Sequence, residues 1–290
     1  MQSLWMLAAG LCFAVMGVFV KLGAPQFKVA ELVLYRSLVM MLLGWIVLAR
    51  SGASLRTARL GTHMHRSVSG FVSLFMFFYA LSVLPVATAI TLNYTSPIFL
   101  AALIALLARE RPGTRLSATV VLGFAGVLLL LRPSFHAEEL WAGGMGLASG
   151  ALSAIAYWNV RSLVQADEPV GRVVFYFGLI SCFGALVWMA PQTWTPLTRS
   201  NVVVLAGLGV SGALGQLAMT RAYGNGPALV AAALSYSSIV FSSLLGLAVL
   251  GDVLPLLSWI GIALIVAAGI IAVQLAPPTP RAPPPQISSE

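Results

Sequence analysis

Charge is what this chain has least of. Only 8% of its 290 residues are Asp, Glu, Lys or Arg, against roughly 25% in a soluble domain. Hydrophobic residues make up 59%, and the mean hydropathy is +0.95. Water cannot be the main solvent of such a chain. The shortage also thins the chemistry available. The 8 acidic residues are Glu31, Glu110, Glu138, Glu139, Asp167, Glu168, Asp252 and Glu290. All fall in loops, in the tail or within a turn or two of a predicted helix end. The 3 histidines, His63, His65 and His136, read as loop residues. No HExxH or Cys/His cluster occurs, so no metal site and no cofactor are expected. The 2 cysteines, Cys12 and Cys182, lie far apart in apolar runs with no CxxC, and read as small core side chains. The net charge of +8 could suggest nucleic acid. The basic residues are instead spread thinly between apolar runs, the pattern of membrane topology rather than of a phosphate-binding face.

What is present is long apolar runs. A span needs about 20 mostly apolar residues, and the runs near 3–21, 30–49, 67–84, 87–108, 116–132, 141–163, 172–191, 201–222, 228–250 and 255–275 qualify. The first lacks the basic flank and cleavage site of a signal peptide and reads as a retained transmembrane helix. Residues 276–290, "APPTPRAPPPQISSE", are too proline-rich for a helix and read as a disordered tail. Loop charge sets the orientation. Arg50, Arg56, Arg59, Arg66, Arg109, Arg111, Arg115, Arg161, Arg172, Arg221 and Arg281 fall on one side, against Lys21, Lys28, Arg132 and Arg199 on the other. The richer side is expected to be cytoplasmic, with both termini inside and Glu138 and Glu139 outside.

The chain also repeats itself. A shift of 142 residues lays Pro85 on Pro227, Tyr94 on Tyr236, Ser96 on Ser238 and Phe99 on Phe241. A shift of 140 lays Gly10 on Gly150, Lys21 on Arg161 and Gly44 on Gly184. Each half, 1–136 and 137–275, then has five spans. Five is odd, so the second half enters the membrane in the opposite sense. The expected fold is all-α, ten transmembrane helices in two five-helix inverted-topology repeats, with a site near the midplane.

"ALSVLPVATAITLNYTSPIFLAALIALLARE" followed by "LGFAGVLLL", with "LYRS" in the second span and "VAAGI" in the last, resembles the EamA pattern of the drug/metabolite transporter superfamily. The chain looks most similar there to YddG-type amino-acid exporters of bacterial inner membranes. The resemblance implies a basket of ten helices with a cavity between helices 1–4 and 6–9. It also implies alternating access by rocking of the halves.

Asn93, Tyr94, Thr95, Ser96 and Pro97 stand in the middle of an apolar run. Pro97 has no N–H, so the Asn93 carbonyl loses its usual helical donor, and Pro97 is the expected kink or hinge. Such a break is tolerated in lipid only beside protein or a water-filled cavity. Asn93 and Ser96 share a helix face, as do Ser235 and Ser238 of the second half. These stripes either line a central cavity or serve as helix-to-helix hydrogen bonds. Tyr79, Tyr94, Trp158, Tyr176 and Tyr236 lie well inside apolar runs, where they either pack in the core or offer rings and donors to a substrate. Trp5, Trp141 and Trp259, at span ends, suit an interfacial belt. Asn159 and Gln216 are further candidates. Arg36 either snorkels outward or faces the cavity and binds a carboxylate. "GLGVSG", Gly207 to Gly212, satisfies GxGxxG with no strand before it. Gly207, Ser211 and Gly215 form instead a small-residue ridge for close helix packing, as do Gly146 and Gly150.

The function expected is export of small amphipathic metabolites, aromatic or neutral amino acids foremost, by a carrier working in the lipid bilayer as a monomer or homodimer. Two alternatives stay open. A nucleotide-sugar or phosphate-ester transporter would want several basic residues in the cavity, and only Arg36 is visible. An intramembrane enzyme would want an acidic pair, a metal cluster or an activated serine.

Overall fold

The computed structural model describes residues 2–84, 86–107, 113–133, 140–250 and 254–275, and among these there is helix and no strand. A short 3-10 turn, Gln2–Leu4, leads into α1 (Trp5–Gly23), followed by α2 (Val29–Arg50) and α3 (Leu60–Val83). The fourth rod is interrupted: α4 (Val86–Asn93) stops, two residues turn, and α5 (Ser96–Leu107) resumes. Next come α6 (Thr114–Leu131), α7 (Leu140–Gln165), α8 (Val170–Met189) and α9 (Arg199–Asn225). The ninth rod is again interrupted, into α10 (Ala228–Ser235) and α11 (Ser237–Leu245), and the latter ends in a π turn, Gly246–Leu250. The last is α12 (Leu256–Gln274). Glu110, Glu138, Glu139, Asp252, Arg109, Arg111 and the tail 276–290 lie outside the described residues.

Eight of these rods are long and apolar enough to cross a membrane. Their outward faces carry large exposed apolar side chains, Phe183, Val203 and Leu256 among them, a surface suited to lipid rather than water. Trp5, Trp141 and Trp259 are exposed close to the starts of α1, α7 and α12. The two remaining rods are α3 and α7. They pack on each other, and several of their polar residues, His63, Arg66, Ser69, Ser73, Ser149 and Ser153, are buried. This also explains a difference from the expected boundaries. The third span was expected at 67–84, but α3 starts at Leu60. His63 and Arg66 are therefore helical and buried, not loop residues. Their polarity conceals the helix from a reading that takes lipid as the only neighbour.

The main packings are α2 with α8, α3 with α7, α1 with α9, and α6 with α12. Exchanging each rod for the one five places later turns this set into itself. The seams are close because glycines line them. A Cβ on Gly44 of α2 would lie 2.7 Å from the Phe175 nitrogen of α8, and one on Gly178 would lie 2.7 Å from the Met41 nitrogen. Gly126 of α6 and Gly261 of α12 meet in the same way. Gly207 and Gly215 of α9 admit Phe19 and Phe13 of α1, as a small-residue ridge allows. Gly150 of α7 faces the first interruption, against Thr95 and the carbonyls of Leu92 and Asn93. Its repeat mate Gly10 of α1 faces the second, against Ser237 and Ser238.

The loops gather at two ends. At one, the segment 51–59 joins the α7–α8 turn. Glu168 accepts hydrogen bonds from Thr57 and Arg172 and lies 3.3 Å from His63 Nε2. Arg172 also holds the Ser54 carbonyl. Ser3 reaches the Pro227 carbonyl at this end. At the other, Glu31 accepts from the Lys28 N–H at 2.9 Å, the Thr195 N–H at 2.6 Å and the Thr195 hydroxyl at 2.8 Å. Glu31 is thus taken up by the start of α2 and the α8–α9 loop, rather than by Arg36.

Candidate functional site

Two cavities stand out. One, of about 470 Å³, is an apolar crevice between α1, α10, α11 and α12, with Ser237 and Gln274 its only polar side chains. The other, of about 480 Å³, is central. Its walls come from α1–α4 and α7–α9, from α11, and from Leu131 of α6. Polar groups collect in the second, so chemistry belongs there.

The interruption of the fourth rod builds one wall. The Thr95 hydroxyl takes the Leu92 carbonyl, and Ile98 and Phe99 both return to the Thr95 carbonyl, which leaves a clean restart at Ser96. Asn93 and Tyr94 stand at the gap and face the cavity. The Asn93 amide donates to Ser149 Oγ at 3.0 Å, and Ser149 donates to Gly146 O. Asn93 therefore both lines the cavity and ties α4 to α7. Ser73 of α3 donates to the Ser149 carbonyl and shares a 2.7 Å contact with Ser153 of α7. Tyr94 lies against Ser238 of α11.

The opposite wall is basic. Arg36 of α2 and Arg66 of α3 both line the cavity. Arg66 is 2% exposed, and its guanidinium sits 4.0 Å over the Phe177 ring, an attraction of about 0.5–2 kcal/mol. Gly212 and Gly70 make room for the two heads: a Cβ on Gly212 would lie 3.1 Å from Arg36 Nε, and one on Gly70 would lie 2.5 Å from an Arg66 terminal nitrogen. Tyr157 of α7 lies within electrostatic reach of both arginines and stacks on Tyr223 at 4.8 Å. Arg36 Nε, Arg66 Nε and Gln216 Nε2 are buried without a partner. Among the described residues, none that lines the cavity is an Asp or Glu.

Of the expected site residues, the cavity brings together Asn93, Tyr94, Ser238 and Arg36, with Gln216. The rest lie elsewhere. Ser96 and Pro97 are buried at the start of α5, just after the break at 94–95. Tyr236 is fully buried among Tyr94, Phe124 and the backbone of Gly123, its ring filling the second interruption. Ser235 bonds back to the Ala232 carbonyl. Trp158 packs beside the core with Arg161 above its ring, and Asn159 bonds its own helix at Ile155. Tyr79 is 37% exposed on α3. Tyr176 donates to the Leu55 carbonyl and stacks on His63, so it secures the 51–59 segment. Arg66, Tyr157, Ser73 and Ser153 were missed. The signal for Tyr157 was its place one residue before Trp158, a rotation of about 100° around the helix.

Comparison with known proteins agrees with this architecture. A solved crystal structure superposes with a TM-score of 0.84 at 21% identity, covering 95% of this chain and 98% of that one. An uncharacterised transporter of Helicobacter pylori is 32% identical over 275 residues, 91% of this chain and 92% of its own. A riboflavin transporter of Vibrio cholerae is 30% identical, with 91% and 90% covered. A pseudopaline exporter of Pseudomonas aeruginosa is 29% identical, with 90% and 92% covered. The pattern of the EamA-like transporter family fits residues 1–132 and fits again over 140–274. The chain is a multi-pass membrane protein that belongs to the EamA-like transporter family.

Proposed function

We propose that the chain is a secondary carrier of small amphipathic metabolites, aromatic and neutral amino acids among them, working outward across a bacterial inner membrane by alternating access. The observation that carries this is the central cavity of about 480 Å³, where aromatic rings, hydroxyls and unpartnered donors converge in an otherwise apolar fold. Such a site suits a molecule with an apolar body and a few polar groups. The exchange symmetry of the packing, and the fit of one family pattern to each half, support two inverted five-span repeats that rock about the site. The loop charges support cytoplasmic termini. With Arg66 removed from the loop tally the bias persists at ten to four. The riboflavin and pseudopaline relatives widen the range of cargo, and the second cavity arginine favours the anionic alternative more than the sequence did.

The test is efflux from proteoliposomes loaded with labelled phenylalanine, comparing the native protein with Asn93→Ala and Tyr94→Phe. Both variants should fold and carry less. Equal flux at equal protein content would make the polar wall structural. No acid or histidine lines the cavity among the described residues, so flux should not need a proton gradient. Uphill accumulation driven by an imposed gradient and lost in Glu31→Gln would refute that.

A further inference from the structure

Two buried guanidiniums face one cavity, and among the described residues nothing acidic lines it with them. Around Arg36 lie Met16, Gly212 and Tyr157; around Arg66 lie Gly70, Phe177, Tyr157, His63 one turn earlier on α3, and Arg36 itself. Two carboxylates among the described residues are taken up elsewhere: Glu31 by Lys28 and Thr195, and Glu168 by Thr57, Arg172 and His63. A single arginine at mid-membrane is unfavourable, and two that repel each other are more so. The Phe177 ring offsets this for Arg66 only. The unpartnered atoms point the same way. Arg36 Nε and Arg66 Nε can only donate, and Gln216 adds an amide that can turn to donate as well. A cavity whose open valences are donors lacks an acceptor. Aromatic rings, Phe13, Phe77, Tyr94 and Phe177, complete the lining.

We propose that Arg36 and Arg66 together receive an anionic group of the cargo, a carboxylate or a phosphate, while the aromatic lining takes its apolar body. The proposal rests on the carrier reading above and narrows it: cargo without a negative group is excluded. The two arginines enter from opposite ends. Arg36 lies about 10 Å along α2 from the Glu31 end, and Arg66 about 10 Å along α3 from the Glu168 end. The anionic group therefore meets a guanidinium whichever way the cavity opens.

The test uses purified full-length protein and two matched pairs: phenylalanine with phenylalaninamide, and riboflavin 5′-phosphate with riboflavin. Thermal unfolding in detergent reads binding, and proteoliposome flux reads transport. The anion-bearing member of at least one pair (the charged member below), carrying the carboxylate or the phosphate, should raise the midpoint and bind about tenfold more tightly than its partner without that group, the value of one charge-assisted hydrogen bond. Which pair responds separates carboxylate from phosphate. Without ligand, Arg36→Gln and Arg66→Gln should unfold no earlier than the native protein, because each removes an unpaired charge. Both should lose the preference for the charged member, and Arg66→Lys should keep part of it. The proposal is overturned if neither anion-bearing member shifts the native midpoint, if the two members act alike in both pairs, or if the Gln variants keep the preference. Equal flux of the two members in both pairs would sink the anion site and leave the carrier. An anion-dependent midpoint with no flux of the bound anion would keep the site and sink the carrier.

Discussion

Gly150 gives the sharpest test of how the cavity wall is held. A Cβ placed there would lie 2.8 Å from the Leu92 carbonyl oxygen, 3.1 Å from that of Asn93, and in contact with the Thr95 hydroxyl. Two of these three neighbours are backbone at the α4–α5 interruption and cannot turn aside. Overpacking of this kind costs about 1–3 kcal/mol. Alanine also raises helix propensity over glycine, by roughly 0.8–1 kcal/mol. Gly144, on the same helix and with nothing within 4 Å of its Cβ position, isolates that gain. Gly144→Ala should therefore stabilise the protein slightly. Gly150→Ala should fall below it by the full overpacking term, about 1–3 kcal/mol, because propensity cancels between the two. The Gly150 change also pushes on Asn93, so flux should fall in that variant alone. Thermal unfolding of the two variants in one detergent, with flux in parallel, is the measurement. Equal midpoints would refute the account of Gly150 as the seat of the break. The repeat mate should be milder. Gly10→Ala meets Ser237 Oγ and Ser238 Oγ, hydroxyls that can rotate, and a single backbone atom, Ser238 N at 3.2 Å, so its loss should be smaller than that of Gly150→Ala.

Three further outcomes are expected. Burial opposes ionisation of Glu168, but hydrogen bonds from Thr57, Arg172 and His63, with the Arg172 charge, more than offset it and hold its carboxyl below the usual glutamate range. Its folded pKa is depressed, so its stabilisation is present above the unfolded value of about 4.3 and is lost as pH falls through the folded one. The native protein should lose stability on acidification below about 4.3 with a step missing from Glu168→Gln, and parallel profiles would count against this. Tyr176→Phe removes only the bond to Leu55, worth about 1 kcal/mol, and should leave flux and its KM unchanged; a raised KM would return Tyr176 to the site. In a protein lacking Cys12 and Cys182, a membrane-impermeant thiol reagent on intact cells should label Ser200→Cys and spare Ala58→Cys, and the reverse pattern would invert the orientation.

The rods were legible because lipid imposes a plain rule on length and polarity, and the first interruption was legible because proline cannot hide. Asn93, Tyr94, Ser238 and Arg36 could be placed because each is costly in an apolar run. Arg66 was not legible for the same reason inverted. A basic residue just before an apolar run looks like a loop, unless a neighbouring helix is known to receive it. Tyr236 and Tyr176 show the other limit. A tyrosine in mid-run is equally consistent with a cavity, a core or a loop anchor, and only the rotation of its helix decides. The second interruption has no proline at all: Ile239 stands where Pro97 would recur, and it could be expected only from the repeat.

That difference makes the two halves mechanically unequal. At residues 94–95 the missing donor is covalent, and no rotation can supply Pro97 with an N–H. At Tyr236 every amide is intact, the backbone sits at φ −61° and ψ −20°, and the Ile239 N–H already bonds to the Tyr236 carbonyl at 3.0 Å. The first gap is a permanent joint. The second is one that small torsions can splint into a continuous rod. In the rocking cycle proposed above, the two halves would therefore meet unequal compliance, and the strain of each opening would fall first on the second half.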